Sequence, residues 1–173
     1  MRFSFIATRD HSLMRRVHQW PAPRWLQLWM IWATRGGDGW LWYGTVLAVL
    51  VFGGASRYAV AGSAGLAAGT SCILFQALKR ATGRKRPCDI EPHCWANLLP
   101  PDQFSFPSGH TLSAFAVAIS IGLFYPRMLP VLMFCAASIG ASRILLGMHF
   151  LSDVILGALL GTALGYGSYL LFH

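Results

Sequence analysis

Long apolar stretches separated by short polar breaks run through most of the chain, and each is read as a helix. Five of them are candidate membrane spans: about Trp40–Ala55, Tyr58–Leu78, Thr111–Tyr125, Met128–Leu146 and Phe150–Phe172. The first is short for a span of roughly 20 residues. Its Trp40, Trp42 and Tyr43 suit the membrane interface. The second is rich in small residues. The fourth tolerates Pro130 in its first turn, and the fifth carries Gly157, Gly161 and Gly165 at four-residue spacing, which permits close helix contact.

Before these spans the pattern changes. Residues 1–23 are basic and mixed, and predict a short surface helix ended by Pro21 and Pro23. Trp25, Leu28, Trp29 and Trp32 follow at i, i+3, i+4 and i+7. They form one apolar stripe on a helix too short to span. It either lies in the interface or packs on the protein. Gly36-Gly37-Asp38-Gly39 is read as a chain turn. The expected architecture is therefore an all-α polytopic bundle, one domain over 1–173, with 1–38 an interfacial segment and 40–172 the bundle.

Composition narrows the partners. Hydrophobic residues are 55% of the chain, charged residues 12%, and mean hydropathy is +0.50. Soluble domains carry about 25% charged residues, so much of this surface is expected to face lipid. A formal net charge of +8 would suit nucleic acid or an anionic membrane. With so few polar residues the bilayer is the expected partner and nucleic acid is not. No secretory signal is evident at the N-terminus. The sequence does not indicate an oligomeric state.

The chemistry concentrates in three blocks. Phe104-Ser-Phe-Pro-Ser-Gly-His110 closes a polar, proline-rich loop and opens an apolar run. If Pro107 lies in the first helical turn, Ser108, Gly109 and His110 place backbone N–H groups at a helix N-terminus, a ready anion site. His110 adds a group that titrates near neutral pH. Upstream stands Lys79, then six residues, then Arg86-Pro87; downstream stand Ser142-Arg143, five residues, His149, three residues and Asp153. Arg143 follows about fifteen uncharged residues, which marks an intramembrane cation as a functional candidate. Lys79, Arg86 and Arg143 could surround a phosphate, two of them with planar forks. Arg80, Arg84 and Lys85 read instead as side chains snorkelling to headgroups. Threading the spans puts all three blocks at one membrane face.

In this order and spacing the blocks resemble the type 2 phosphatidic acid phosphatase family, whose fold is shared with vanadium haloperoxidases. The resemblance implies a membrane phosphatase acting on a lipid phosphate. In it His149 is the nucleophile that forms a phosphohistidine, Asp153 orients His149, and His110 is the general acid and later the base. Lys79, Arg86, Ser108, Gly109 and Arg143 would bind the phosphate. No cofactor and no metal are implied, since three cations supply the charge that magnesium supplies elsewhere. A zinc site at Cys88, His93 and Cys94 has poor spacing. A Cys88–Cys94 disulfide is an option in an oxidising compartment. Cys72 and Cys135 read as packing residues, and His11, His18 and His173 as surface residues. Trp95, Leu98 and Leu99 are expected to cover the headgroup or dip into the interface.

The expected substrates are phosphatidic acid, phosphatidylglycerophosphate, undecaprenyl diphosphate or a lipid A phosphate. The expected location is the bacterial inner (cytoplasmic) membrane. Outside the motifs, nine cations fall on the site's side against Arg57 and Arg127 on the other, which favours a cytoplasmic site. Relatives of this kind that work on the outer face argue the other way. Rival readings are a lipid phosphotransferase using the same site, a haloperoxidase, and a lipid-binding or transport protein without catalysis.

Overall fold

In a computed structural model, residues 2–90 and 103–173 are described, and they are helical with no strand among them. The N-terminal helix α1 (Arg2–Gln19) ends before Pro21, and α2 (Arg24–Arg35) starts after Pro23, whose extended backbone (φ −63°, ψ 146°) caps it. The tryptophan stripe of α2 is exposed, Trp32 by 70%, while Met30 and Leu26 pack with Leu146 and Met148 beyond α7. Each side of this helix thus has its own surroundings: protein on one face, the exterior on the other.

The chain turn expected at Gly36–Gly39 is a kink between two helices. Helix α2 leads through Gly36–Trp40 into α3 (Leu41–Phe52), and the backbone leaves the helical region at Gly39. Gly39 sits at φ 118°, a conformation side chains rarely adopt. A Cβ at Gly37 would come within 2.9 Å of Ile139 and 3.1 Å of the His110 ring, so a glycine lets this turn approach the site.

Helix α4 (Arg57–Thr82) returns to the site's end and stops at Gly83. That residue is left-handed (φ 58°), and its N–H bonds the Lys79 carbonyl at 3.0 Å, the usual glycine end to a helix. A short helix α5 (Pro87–Ile90) follows. Then come α6 (Gly109–Phe124), α7 (Leu129–Leu145) and α8 (Leu151–Phe172). Each lies within about two residues of the expected boundaries at its site end.

Helix α6 is the centre, packed against α4, α7 and α8. Small residues allow the approach. A Cβ on Gly157 would sit 2.9 Å from the Ser108 carbonyl oxygen, and one on Gly161 or Gly165 would collide with the Leu112 or Ala116 carbonyl. The core between α3, α4, α6 and α7 holds Val60, Ala64, Ala114, Ala118, Ile121 and Ala136, with a buried Ser63–Ser120 hydroxyl pair at 3.2 Å. Large apolar side chains cover the outside instead, among them Leu47, Ile73, Val131, Phe134, Leu159 and Leu171.

Two helical runs are long and apolar enough to cross a membrane by length and composition, Gly54–Ile90 and Leu151–Phe172. Helices α6 and α7 are apolar but shorter, and α3 has 12 residues, about 18 Å of helix. The expected count of five full-length spans therefore reduces to two by this measure. The helix directions do match the expected threading. Tyr125 Oη donates to the Gly53 carbonyl at 2.8 Å at the far end, while α1, the α2–α3 turn and the α7–α8 turn meet at the site's end.

Candidate active site

The loop that carries Phe104–His110 is fixed at both limbs. The Ser105 N–H donates to the Arg84 carbonyl at 2.7 Å, and the Thr82 hydroxyl donates to Phe106 O at 3.3 Å. The Phe106–Pro107 bond is cis. Ser108 is the N-cap of α6, so Pro107 precedes the cap and does not occupy the first turn as expected. The first intrahelical bond is Leu112 N–H to Ser108 O, 3.0 Å. The N–H groups of Gly109, His110 and Thr111 precede it, at the positive end of the helix. The Ser108 N–H, expected to face the anion, is instead spent on the Asp153 carbonyl at 3.2 Å. Its hydroxyl pairs with Thr111 Oγ1 at 2.9 Å. Gly109 is the first residue of α6 and is buried. A Cβ there would meet the Phe75 ring at 3.1 Å, and Lys79 Nζ lies 5.4 Å from that same ring.

His149 is held by a tight turn after α7. Arg143 O accepts from Met148 N–H (3.0 Å) and His149 N–H (2.9 Å), and Gly147 takes φ 70°. Helix α8 starts two residues beyond His149, so His149 and Asp153 face each other across a turn, not along one helical face. Four residues apart, the two are expected from the sequence to share a helical face with the carboxylate bonded to the ring, and they do not. Asp153 Oδ2 lies 3.8 Å from His149 Nδ1, beyond hydrogen-bond reach. The ring bonds the Ser105 carbonyl instead, Nδ1 to O 2.6 Å. A carbonyl only accepts, so Nδ1 carries the proton and Nε2 carries the lone pair. Asp153 acts one step back: it accepts the Ser105 hydroxyl, the Phe150 N–H at 2.9 Å and Arg84 Nη1 at 2.7 Å.

Arg86 does not extend the helix of Lys79, since Gly83 ends it. It reaches the site from the loop, with Nη1 2.9 Å from Met148 O and 3.2 Å from His149 Nε2. Lys79, Arg86, Arg143, His149 and Asp153 are all buried. Burial, and then the positive charges of Arg143, Arg86 and Lys79, hold His149 well below the usual imidazole range. Lys79 and Arg143 are within electrostatic range of His110 as well, so the three blocks converge.

Several residues of this site were not expected. His110 Nε2 pairs with Asp38 Oδ1 at 2.7 Å, and Arg143 Nη1 bonds the Thr34 hydroxyl. Arg84, read as snorkelling, is bound by Asp10, Ser152 and Asp153. His11 lies edge-on to Phe150 (4.9 Å) and is not a plain surface residue. Cys72 is exposed and lines a cleft instead of packing. A usable signal existed: the chain has only six Asp and Glu. In so apolar a chain each carboxylate is costly to place, and Asp10, Asp38 and Asp153 all meet the site. His93, Cys94, Trp95, Leu98 and Leu99 lie outside the described residues, and with them the zinc, disulfide and headgroup-cover expectations.

A cleft of about 410 Å³ opens beside the cradle. Trp42, Ala68, Phe75 and Val117 line its apolar part, and Lys79, Gly109, His110 and Asp38 its polar end.

A helical bundle with exposed apolar flanks, a helix N-terminus, three buried cations and two histidines at one end defines a membrane protein built for phosphate chemistry. The chain belongs to the PAP2 superfamily, whose sequence model matches residues 59–173. It is 35% identical over 127 residues to the decaprenylphosphoryl-5-phosphoribose phosphatase of Mycobacterium tuberculosis, covering 73% of this chain and 68% of that protein. It is also 35% identical over 95 residues to the lipid A 1-phosphatase of Rhizobium etli, covering 53% of this chain and 41% of that one. Among solved structures, Aquifex aeolicus LpxE superposes with a TM-score of 0.74 at 28% identity, covering 91% of this chain and 92% of that one. The transmembrane PAP2-type phosphatidylglycerolphosphate phosphatase of Bacillus subtilis has a TM-score of 0.75 at 24% identity, over 94% and 84% of the two chains, a likeness of fold. The relatives are phosphatases, and the family supports a hydrolase associated with a bacterial membrane.

Proposed function

We propose that this protein hydrolyses a phosphate monoester or diphosphate of a lipid through a phosphohistidine at His149. The observation that carries the reading is the His149 ring: Nδ1 is committed to the Ser105 carbonyl, and Nε2 points its lone pair among buried cations. Nε2 attacks phosphorus while the bond from phosphorus to the lipid oxygen breaks. His110 gives that oxygen its proton. His110 then takes a proton from water, whose oxygen attacks phosphorus and breaks the bond to Nε2. Asp38 holds the His110 ring, its Oδ1 lying 2.7 Å from Nε2. Lys79, Arg86, Arg143 and the Gly109 N–H stabilise the phosphoryl oxygens, and Ser108 shapes the helix start that presents them.

The apolar cleft supports a lipid substrate, because it ends at Lys79 and His110 and could hold a chain beside a bound headgroup. Phosphatidic acid, phosphatidylglycerophosphate, undecaprenyl diphosphate and lipid A phosphates all meet this description. The apolar exterior supports five membrane-crossing helices, with α3, α6 and α7 in a locally thinned bilayer. It also supports one bundle domain with α2 in the interface. We place the protein in the inner membrane. Without Arg84, which belongs to the site, eight cations remain on its side against two, still favouring the cytoplasmic face.

Two expected results test this reading. Because three side-chain cations meet the phosphate, phosphate release from a lipid panel should persist in EDTA and be inhibited by vanadate. Activity lost in chelator and restored by magnesium or zinc would sink the metal-independent mechanism. Arg143→Ala and Lys79→Ala should each lower kcat/KM by about 2–4 kcal/mol, the scale for removing a preorganised charge from a developing anion. A folded Arg143→Ala enzyme of nearly full activity would make the arginine structural. End-product analysis separates hydrolysis from transfer of the phosphoryl group to a second lipid.

A further inference from the structure

The family match begins at residue 59, yet the segment ahead of it reaches the catalytic centre from α1. Asp10 is buried (7% exposed) on an otherwise basic helix. One of its oxygens accepts from Arg84 Nη2 at 2.8 Å and from the Ser152 hydroxyl; the other accepts the Ser152 N–H at 3.3 Å. The same guanidinium uses Nη1 to bind Asp153 at 2.7 Å and Ser152 Oγ at 2.8 Å. It lies 4.3 Å over the Phe150 ring, which His11 of α1 also meets in a T-shaped contact. Arg84 is thus a single cation forked between two carboxylates, one from α1 and one from α8. Asp153 in turn accepts the hydroxyl of Ser105, and the Ser105 carbonyl fixes the His149 ring.

A buried carboxylate is costly unless it is paired and hydrogen-bonded, and a half-satisfied network is worse than none. Removing Asp10 leaves Arg84 with one carboxylate, Asp153, and leaves Ser152 with the Arg84 Nη1 contact alone at the first turn of α8. Asp153 then loses the fixed fork that sets its rotamer. An angular error there passes to Ser105 and to the Nε2 of His149.

We propose that Asp10 and Arg84 are positioning residues: α1 clamps Arg84 and Ser152, and this clamp sets Asp153 and, through Ser105, the nucleophile. The proposal rests on the assignment of His149 above. It predicts that Asp10→Asn and Arg84→Gln lower kcat on phosphatidic acid in mixed micelles by about tenfold, as loss of supporting contacts does elsewhere, with KM within about twofold. In an Asp153→Asn background either substitution should change kcat by less than about twofold, because the connection is already cut. Ser12→Ala, on the same helix and away from the clamp, is the control and should match wild type.

All variants are purified full-length in detergent, and their thermal unfolding is compared. Should Asp10→Asn fail to accumulate, Ser152→Ala removes one hydroxyl and no charge and reads the same connection. Full activity in these variants, losses that multiply with Asp153→Asn, or a raised KM with intact kcat would each overturn the proposal. His149→Ala is assayed in parallel. An active His149→Ala defeats the nucleophile assignment itself, whereas an inactive one beside fully active clamp variants defeats only the positioning role.

Discussion

Replacing His149 with alanine is expected to reduce phosphate release to background. Among the described residues, no other imidazole has a ring nitrogen tied to a main-chain carbonyl. The covalent step would therefore have no substitute. Asp153→Asn should leave a residual rate, lower than wild type by about 10- to 100-fold, since it disturbs aim and leaves the nucleophile present. A pH profile separates the roles. Burial, then Arg143, Arg86 and Lys79, disfavour the charged ring, so His149 is held well below the usual range. The neutral nucleophile then persists as pH falls through the ordinary imidazole range. Its acid limb in kcat/KM should lie below that range and be lost only when pH drops through the lowered value. Brief incubation with labelled lipid phosphate and acid-free quenching should trap label on the wild-type chain and none on His149→Ala. Wild-type activity in the alanine variant would remove the nucleophile assignment.

Much of the site was legible because its chemistry is local in the chain. Ser108-Gly109-His110 begins a helix, and the spacing from Arg143 to Asp153 spans one helix end, a turn and the next helix start. The apolar runs set α4, α6, α7 and α8 closely, since burial and lipid exposure both follow hydrophobicity. What the sequence hid are contacts made over long separations. Asp10 meets Ser152 across 142 positions, and Asp38 meets His110 across 72. No periodicity announces such pairs. Arg84 looked like a helix-end lysine or arginine reaching for headgroups, but Gly83 turns the chain so that it points back toward α8. The glycine cluster at 36–39 read as a chain turn; it is a kink between two helices, and its small residues let that kink lie against His110 and Ile139, which no turn signal announces. Asp153 looked like the direct partner of His149 because four residues make one helical face. The helix starts too late for that, and Ser105 stands between them.

His110→Ala should slow hydrolysis of a lipid phosphate by about 10²- to 10⁴-fold, the range for losing a placed general acid. His110 lies at the mouth of α6, where the helix N-terminus favours an anion, and at the polar end of the apolar cleft. A lipid occupying that cleft would shield its leaving oxygen from water, leaving the imidazole as the near proton source. The ring is held by Asp38 at Nε2, so Nδ1 is the atom assigned to hand over the proton. This makes the defect depend on the leaving group. An aryl phosphate departs without protonation, so its first turnover should be spared in His110→Ala while the lipid phosphate loses most of its rate. Asp38→Asn should show the same selectivity more mildly, because it loosens the ring without removing the acid. The comparison needs the first-turnover burst, since in the proposed cycle His110 would also activate the water that ends it, and steady-state rates would mix the two steps. An equal loss on both substrates in the burst would mean that His110 binds phosphate and that the acid is another group.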